Sequence, residues 1–353
     1  MAFTRKKADA ALNEFSQSVK PVSLYQDAWK RLRKNKMAVF GLVVVLVYFI
    51  ISLLAPLLPL YPYDRQEMRH IHLPPSFESA GTVMIRTREA YLARVMAVEN
   101  RKEYNAAERA ELAAMREEIE TDPVHNRVYI MGTDVLGRDL LARTIYGGRI
   151  SLGIGVVGTI TALIIGIFWG AIAGYVGGKL DNIMMRFVDI VYGLPYMMVV
   201  IVLMALFGGR SIFLLFIAIA MVSWLTISRV VRGQIISLKN SEFIEAARSV
   251  GAGTPRIIGK HLLPNVLGII IVYSSLSFPT FILSESFLSF LGLGVSAPMA
   301  SWGSLISDGV RGMQLYPWLL LVPAIMMTVF LFAMNFLGDG LRDAFDPQGK
   351  NRT

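Results

Sequence analysis

Long runs of apolar residues alternate with short basic segments along the chain, and the length of those runs sets the expected architecture. They cover residues 37–60, 150–175, 190–206, 212–228, 266–288 and 318–337. A helix packed on a soluble core would carry a polar stripe every turn or two, and these runs are apolar on all sides. Crossing about 30 Å of hydrocarbon takes about 20 residues at helical rise, with every backbone polar group bonded inside its own segment. The pattern predicts an all-α integral membrane protein with six transmembrane helices. Gly153, Gly155, Gly158, Gly166, Gly170 and Gly174 in the second run favour close helix–helix contact in lipid. Pro195, Pro279 and Pro323 predict bends or helix starts, which membrane bundles tolerate.

The polar segments divide the rest of the chain. Residues 1–36 read as an N-terminal tail. Within it, 23–36 opens on a Ser23 cap and forms an amphipathic helix, with Trp29 and Leu32 apolar among Lys30, Arg31, Arg33, Lys34 and Lys36. Such a helix suits an anionic headgroup layer. After the first span at 37–60, residues 61–149 form a long polar loop. Ala, Arg and Glu dominate it from Arg86 to Glu120, and Asn105 followed by Glu108 fits a capping box with a helix starting near Ala106. This insert reads as paired helices, with a partly disordered charged segment as the alternative. A five-helix core at 150–338 follows, containing a polar loop at 229–263, and the chain closes on a tail at 339–353.

Composition agrees with a membrane location. Hydrophobic residues make up 54% and charged residues 17%, against about 25% charged in an average soluble domain. There is no cysteine, which excludes disulfides, thiol catalysis and cysteine metal sites. His70 and His72 form a pair that reads as a solvated loop rather than a metal site, and no metal is expected. Much of the net charge of +9 lies in segments flanking the apolar runs, so it sets orientation rather than marking a nucleic-acid partner. The segments 179–186 and 229–260 and the basic N-terminal stretch hold most of the countable Lys and Arg. The loops at 208–211 and 292–314 carry one Arg each. Both termini are therefore expected in the cytoplasm and the insert outside. Arg138, Arg143 and Arg149 run against that rule, as long translocated loops can.

The loop at 229–260 is too polar to span and too regular to be a mere link. Glu242 to Val250 is good helix material, capped by Ser241 and stopped by Gly251. A second short helix from Pro255 is expected to end before Pro264. Ala246 and Ala247 would let a partner's surface approach closely, and Glu245 and Arg248 offer charges for pairing.

Glu245-Ala246-Ala247, then Gly251, then Leu263-Pro264 resembles the EAA loop of ATP-binding-cassette importer permeases. The pattern departs at His261, where the general family has an apolar residue. Met131-Gly132-Thr133-Asp134 with Gly137-Arg138-Asp139, Gly174-Tyr175-Val176-Gly177-Gly178 with Asp181, Met185, Arg186 and Asp189, Phe290-Leu291-Gly292-Leu293-Gly294, and Leu337-Gly338-Asp339-Gly340-Leu341-Arg342-Asp343 resemble the peptide and nickel branch. Within it the chain is most similar to the C-type subunits of dipeptide and oligopeptide permeases. The resemblance implies a type I importer permease fold in the bacterial cytoplasmic (inner) membrane, with half of a path for peptides. It implies that Glu242, Glu245, Ala246, Ala247, Arg248, Gly251, Leu263 and Pro264 seat in a cytoplasmic ATPase. The implied partners are two ATPases, a second homologous permease, an extracytoplasmic substrate-binding protein and the bilayer.

No Gly-x-x-x-x-Gly-Lys-Ser/Thr occurs, since Gly178-Lys179 and Gly259-Lys260 lack the upstream glycine and the following hydroxyl. The chain is thus expected to be no enzyme and to hold no cofactor, with ATP and magnesium bound by its partners. Ser275, Ser277, Thr280, Ser284 and Glu285 on the fifth span are candidates for the substrate path. Glu285 reads equally as a residue at headgroup level, and Ser274, Ser275 and Ser277 equally as helix–helix hydrogen bonders. Met197, Met198 and Met204 read as packing residues. Asp181 and Arg186 read as a salt bridge or a solvated turn. Uptake of nickel, opines or antimicrobial peptides, or secondary transport, are the rival functions.

Overall fold

A computed structural model describes residues 24–206 and 212–345. The Ser23 cap, the first 21 residues, the loop at 208–211 and the end of the tail at 346–353 lie outside them. Among the described residues, five helices are long and apolar enough to cross a membrane, and a bent pair makes a sixth candidate.

Helix α1 (Leu24–Lys34) ends at Asn35, whose side chain caps α2 (Lys36–Leu54) by accepting from the amides of Met37 and Ala38. The expected single amphipathic helix through Lys36 is therefore two elements. Ala28 and Leu32 are buried against Ala38 and Ala344, while Trp29 faces outward beneath the Arg33 guanidinium. The first span closes earlier than residue 60, in a 3-10 turn at Ala55–Leu57 that starts around Pro56. The insert forms the expected paired helices, α3 (Ala80–Val98) and α4 (Ala106–Thr121). The Asn105–Glu108 capping box is in place, and Arg88–Glu111 (2.7 Å) and Arg116–Glu89 (2.9 Å) tie the two helices together.

Helix α5 (Leu140–Val176) begins at Leu140 rather than 150. Asp139 caps it by accepting from the Leu141 amide, and its early cations make contacts within the chain. Asp134 receives Arg143, and Arg149 lies over the Tyr146 ring. The third apolar run is not one helix. Helix α6 (Gly178–Gly193) and α7 (Tyr196–Leu206) meet at 84° around Pro195, where proline removes a backbone donor and clashes with the preceding turn. Residues 179–186 thus belong to a helix and not to a loop.

Helix α8 (Ile212–Leu238) carries on through Arg229 and Arg232, because Asp189 and Asp181 receive those guanidiniums at 2.8 and 2.6 Å. Arg186 is not the partner of Asp181. Helix α9 (Glu242–Ser249) follows. Helix α10 (Thr254–Phe290) starts at Pro255 as expected but does not stop at Pro264. A π turn at Ile257–Leu262, in which the Leu263 amide reaches back to the Ile258 carbonyl, gives the proline ring room.

Helix α11 (Trp302–Gly312) occupies what reads as loop in the sequence. It is held by a Ser301–Ser304 capping box and by Trp302, which packs on Tyr48 and Phe330. Helix α12 (Trp318–Phe345) runs well past residue 338, since Gly340 lies against Ala38 and Tyr25 meets the Phe345 ring. The tail at 339–353 is therefore helical through Phe345.

The glycine row of α5 makes the close contacts expected of it. A Cβ at Gly155 or Gly158 would strike Phe278 or Phe281 of α10, and one at Gly166, Gly170 or Gly174 would strike Ile227, Ser228 or Arg232 of α8. Gly153 faces open space. The order of these contacts makes α5 and α8 parallel. The insert lies at one end of the bundle, and α9 with both described ends of the chain lies at the other.

Beneath the insert, His70 and His125 are fully buried. His70 Nε2 meets His125 Nδ1 at 2.9 Å, and His70 Nδ1 meets the Tyr129 hydroxyl at 3.0 Å. His72 stacks on Tyr316. The solvated-pair reading is therefore corrected: the sequence neighbours point to different partners. No group of three metal-ligating side chains occurs among the described residues.

Burial, then the neighbouring His125, pushes the His70 imidazole down to about 4. An unfolded histidine titrates near 6.5. The folded value is depressed, so this contribution is complete above pH 6.5 and is lost as pH falls through 6.5 toward 4. Hydrogen exchange across 80–129 is expected to quicken about tenfold between pH 7 and pH 5.5, after correction for intrinsic rates. A flat profile would refute the assignment.

Candidate functional site

Two regions gather the residues singled out by sequence: α9 with its surroundings at one end, and an open cavity along the bundle. Ser241 stands at the N-cap of α9 with extended backbone. Its hydroxyl donates back to the Leu238 carbonyl rather than accepting from the new helix. Gly251 follows at φ +82°, the left-handed conformation that ends a helix and suits glycine.

The two faces of α9 differ sharply. Ile244 and Ala247 are buried in the chain's own core. Glu242, Glu245 and Ala246 are exposed, and so are Phe243 (42%) and Val250 (85%). The two alanines are thus not equivalent. Ala246 shares a stripe with Phe243 and Val250 at helical spacing, and Ala247 points inward. Arg248 lies over the Tyr175 ring and donates to the Lys239 carbonyl, so it is engaged within the chain. Leu263 is half-buried and Pro264 exposed at the start of the straight part of α10. Phe243 and Val250 were passed over in the sequence, although two apolar residues seven apart on a polar segment are a readable signal.

Beside α9, a brace ties α6, α8 and the end of α5 together. Arg232 donates to both oxygens of Asp181, at 2.6 and 2.7 Å. Lys239 Nζ reaches the Gly174 carbonyl at 3.1 Å, which also satisfies one of the open carbonyls at the end of α5.

The cavity has a volume of about 700 Å³ and lies between the α6–α7 bend, α8 and α10. Ser277, Thr280 and Ser284 line one wall, facing Tyr192, Pro195 and Thr226. No charged side chain lines it among the described residues. Three of the five path candidates therefore converge.

Ser275 and Glu285 do not. Ser275 lies beside Gly338 of α12. Glu285 is wholly buried, accepting from the Ser289 and Ser301 hydroxyls at 2.6 Å each. It is not at the wall of the cavity. Ser274, Ser275 and Ser277 bond to carbonyls of their own helix, not across helices. Met204 is buried as a packing residue, whereas Met198 is exposed on the bundle surface.

Comparison with known proteins places this geometry in context. Residues 166–350 match the family described as binding-protein-dependent transport system inner membrane component. Residues 23–75 match the N-terminal TM domain of oligopeptide transport permease C. The chain is 43% identical to the oligopeptide transport system permease protein OppC of Haemophilus influenzae, over 93% of this chain and 90% of that protein. It is 41% identical to OppC of Escherichia coli K12, over 98% and 99%. With the dipeptide transport system permease protein DppC of Bacillus subtilis it shares 39%, over 95% and 90%. A solved chain of the MetNI methionine ABC transporter in an inward-facing conformation aligns over 97% of its length with 58% of this one, at 17% identity and a TM-score of 0.48.

Proposed function

The chain belongs to the family of binding-protein-dependent transport system inner membrane components, and on that premise we propose that it forms half of an ATP-driven import path for peptides. The family is one of transport components, so the chain is a permease subunit and not an enzyme. The observation that carries the mechanism is the division of α9, anchored through Ile244 and Ala247 while Phe243, Ala246 and Val250 face out. A small apolar ridge flanked by Glu242 and Glu245 is a handle for a groove in a partner. The partner in this reading is a cytoplasmic ATPase, one of two, which binds the ATP and magnesium. A second homologous permease completes the path, and a binding protein delivers peptide at the insert end.

In this arrangement both termini and α9 lie in the cytoplasm and the insert outside. Movement of α9 reaches the bundle through Arg248, which lies over Tyr175 of α5, and the Asp181–Arg232 pair ties α6 to α8, which frame the cavity around the Pro195 bend. A neutral, hydroxyl-lined wall can hydrogen-bond a peptide backbone without selecting side-chain charge. Peptide as the substrate rests on the likeness to oligopeptide and dipeptide transport permeases.

Reconstitution of the chain with its partner subunits in vesicles tests the proposal. Labelled peptide is expected to accumulate only with ATP, and to stop when the ATPase subunits carry a phosphate-loop lysine substitution. Uptake that persists without hydrolysis, driven by an ion gradient, would sink it.

A further inference from the structure

A second cavity, of about 240 Å³, opens at the insert end of the bundle between the start of α5, the loop after α10, and α11. Arg138, Arg143 and Arg311 line it, against a single acidic lining residue, Asp308. Arg138 and Arg143 are 5% and 4% exposed, and they share one carboxylate. Asp134 Oδ2 accepts from Arg138 Nε at 2.7 Å and from Arg143 Nη1 at 2.5 Å. Three guanidiniums thus gather around two carboxylates, Asp134 and Asp308, which leaves positive charge without an equal partner. Arg143 Nε is buried without a hydrogen-bond partner among the described residues. Ser304 and Ser307 of α11 add hydroxyls to the lining. Glu285 stands behind Ser289 and is not part of the wall.

We propose that this cavity binds one carboxylate group, the C-terminal carboxylate of a peptide entering the path. Guanidinium forks match a carboxylate in plane and in spacing, and inside a partly closed cavity such charge-assisted bonds are strong. The volume suits the end of a peptide and not a whole one, so the remainder extends out of the mouth. The carboxylate site follows from the arginines themselves, while its source rests on the peptide reading of the preceding section.

The test uses the assembled transporter without its binding protein, titrated calorimetrically with three probes: acetyl-triglycine as the free acid, the same peptide as its C-terminal amide, and acetyl-Gly-Glu-Gly amide. The free acid is expected to bind at least about tenfold tighter than either amide. Arg311→Gln is expected to weaken it about tenfold, Arg311→Lys much less, and Asp308→Asn to tighten it. Arg311 is exposed on α11, so its substitution leaves the buried pair intact. Equal binding of acid and amide, wild-type affinity in Arg311→Gln, or tighter binding of the glutamate-bearing amide would each overturn the proposal. ATP-driven uptake by the wild-type assembly is measured in parallel. Normal peptide uptake without Arg311-dependent binding removes the site and leaves the transport reading standing. Arg311-dependent binding without peptide uptake does the reverse.

Discussion

Ala246→Asp is expected to reduce ATP-driven uptake by at least about thirtyfold, while the chain still inserts, folds and reaches wild-type abundance. Ala246 lies on the outward stripe of α9 between Phe243 and Val250, where a folded bundle tolerates a carboxylate in water. Seated in a groove, the same carboxylate loses its hydration without gaining a cation, and a defect worth about 2 kcal/mol at the centre of an interface corresponds to that factor. Phe243→Ala is expected to act in the same direction by removing the largest exposed apolar group on the ridge. Ala247→Asp is a different experiment. Its Cβ points into the core beside Ile244, so the substitution buries a charge inside the chain itself and lowers the amount of folded protein. Co-purification of the ATPase with each variant separates the two effects. Ala246→Asp chains that retain wild-type uptake would show that this face carries no contact.

The distinction between the two alanines marks how far sequence reading reached. Six apolar runs were enough for an all-α membrane bundle, and Asn105 with Glu108 announced the second insert helix. Element ends differ from the expected ones where a charge inside a helix has its partner outside that helix. Arg143 with Asp134, and Arg232 with Asp181, let α5 and α8 extend into stretches that read as loop. A periodicity argument sees the charge and not its neutralising partner. The same blindness applies to Glu285, whose companions Ser289 and Ser301 sit on two different elements. Helix α11 escaped notice because three of its residues, Gly303, Gly309 and Gly312, are poor helix formers. Gly303 and Gly309 are tolerated there because α10 and α12 come too close to admit a side chain. In the loop around α9, the motif singles out a segment, but which side chains face outward depends on what the rest of the bundle covers.

Asp134→Asn is expected to destabilise the folded chain by about 3–5 kcal/mol, the usual cost of removing one partner from a buried ion pair. The substitution isolates charge from shape. Asp134 Oδ1 accepts from the amides of Leu136 and Arg138 at 2.8 and 3.0 Å, and an asparagine oxygen can keep both bonds. What asparagine cannot do is neutralise Arg138 and Arg143, whose side chains are 6% and 4% exposed. The turn that starts α5 then loses the one carboxylate that both buried guanidiniums hydrogen-bond. Glu78→Gln provides the contrast, because Arg86 and Glu78 are about half exposed and a solvated pair is worth about 0–1 kcal/mol. Thermal unfolding of the purified proteins in one detergent, followed by intrinsic tryptophan fluorescence, is expected to place Asp134→Asn well below both wild type and Glu78→Gln. If the cause is charge rather than lost packing, replacing Asp134 by Leu together with Arg138 and Arg143 by Met should recover much of the loss, since apolar groups of similar volume often replace buried ion clusters without penalty. A single Asp134→Asn variant that melts with Glu78→Gln would mean that the arginines find other partners, and that the turn does not depend on this carboxylate.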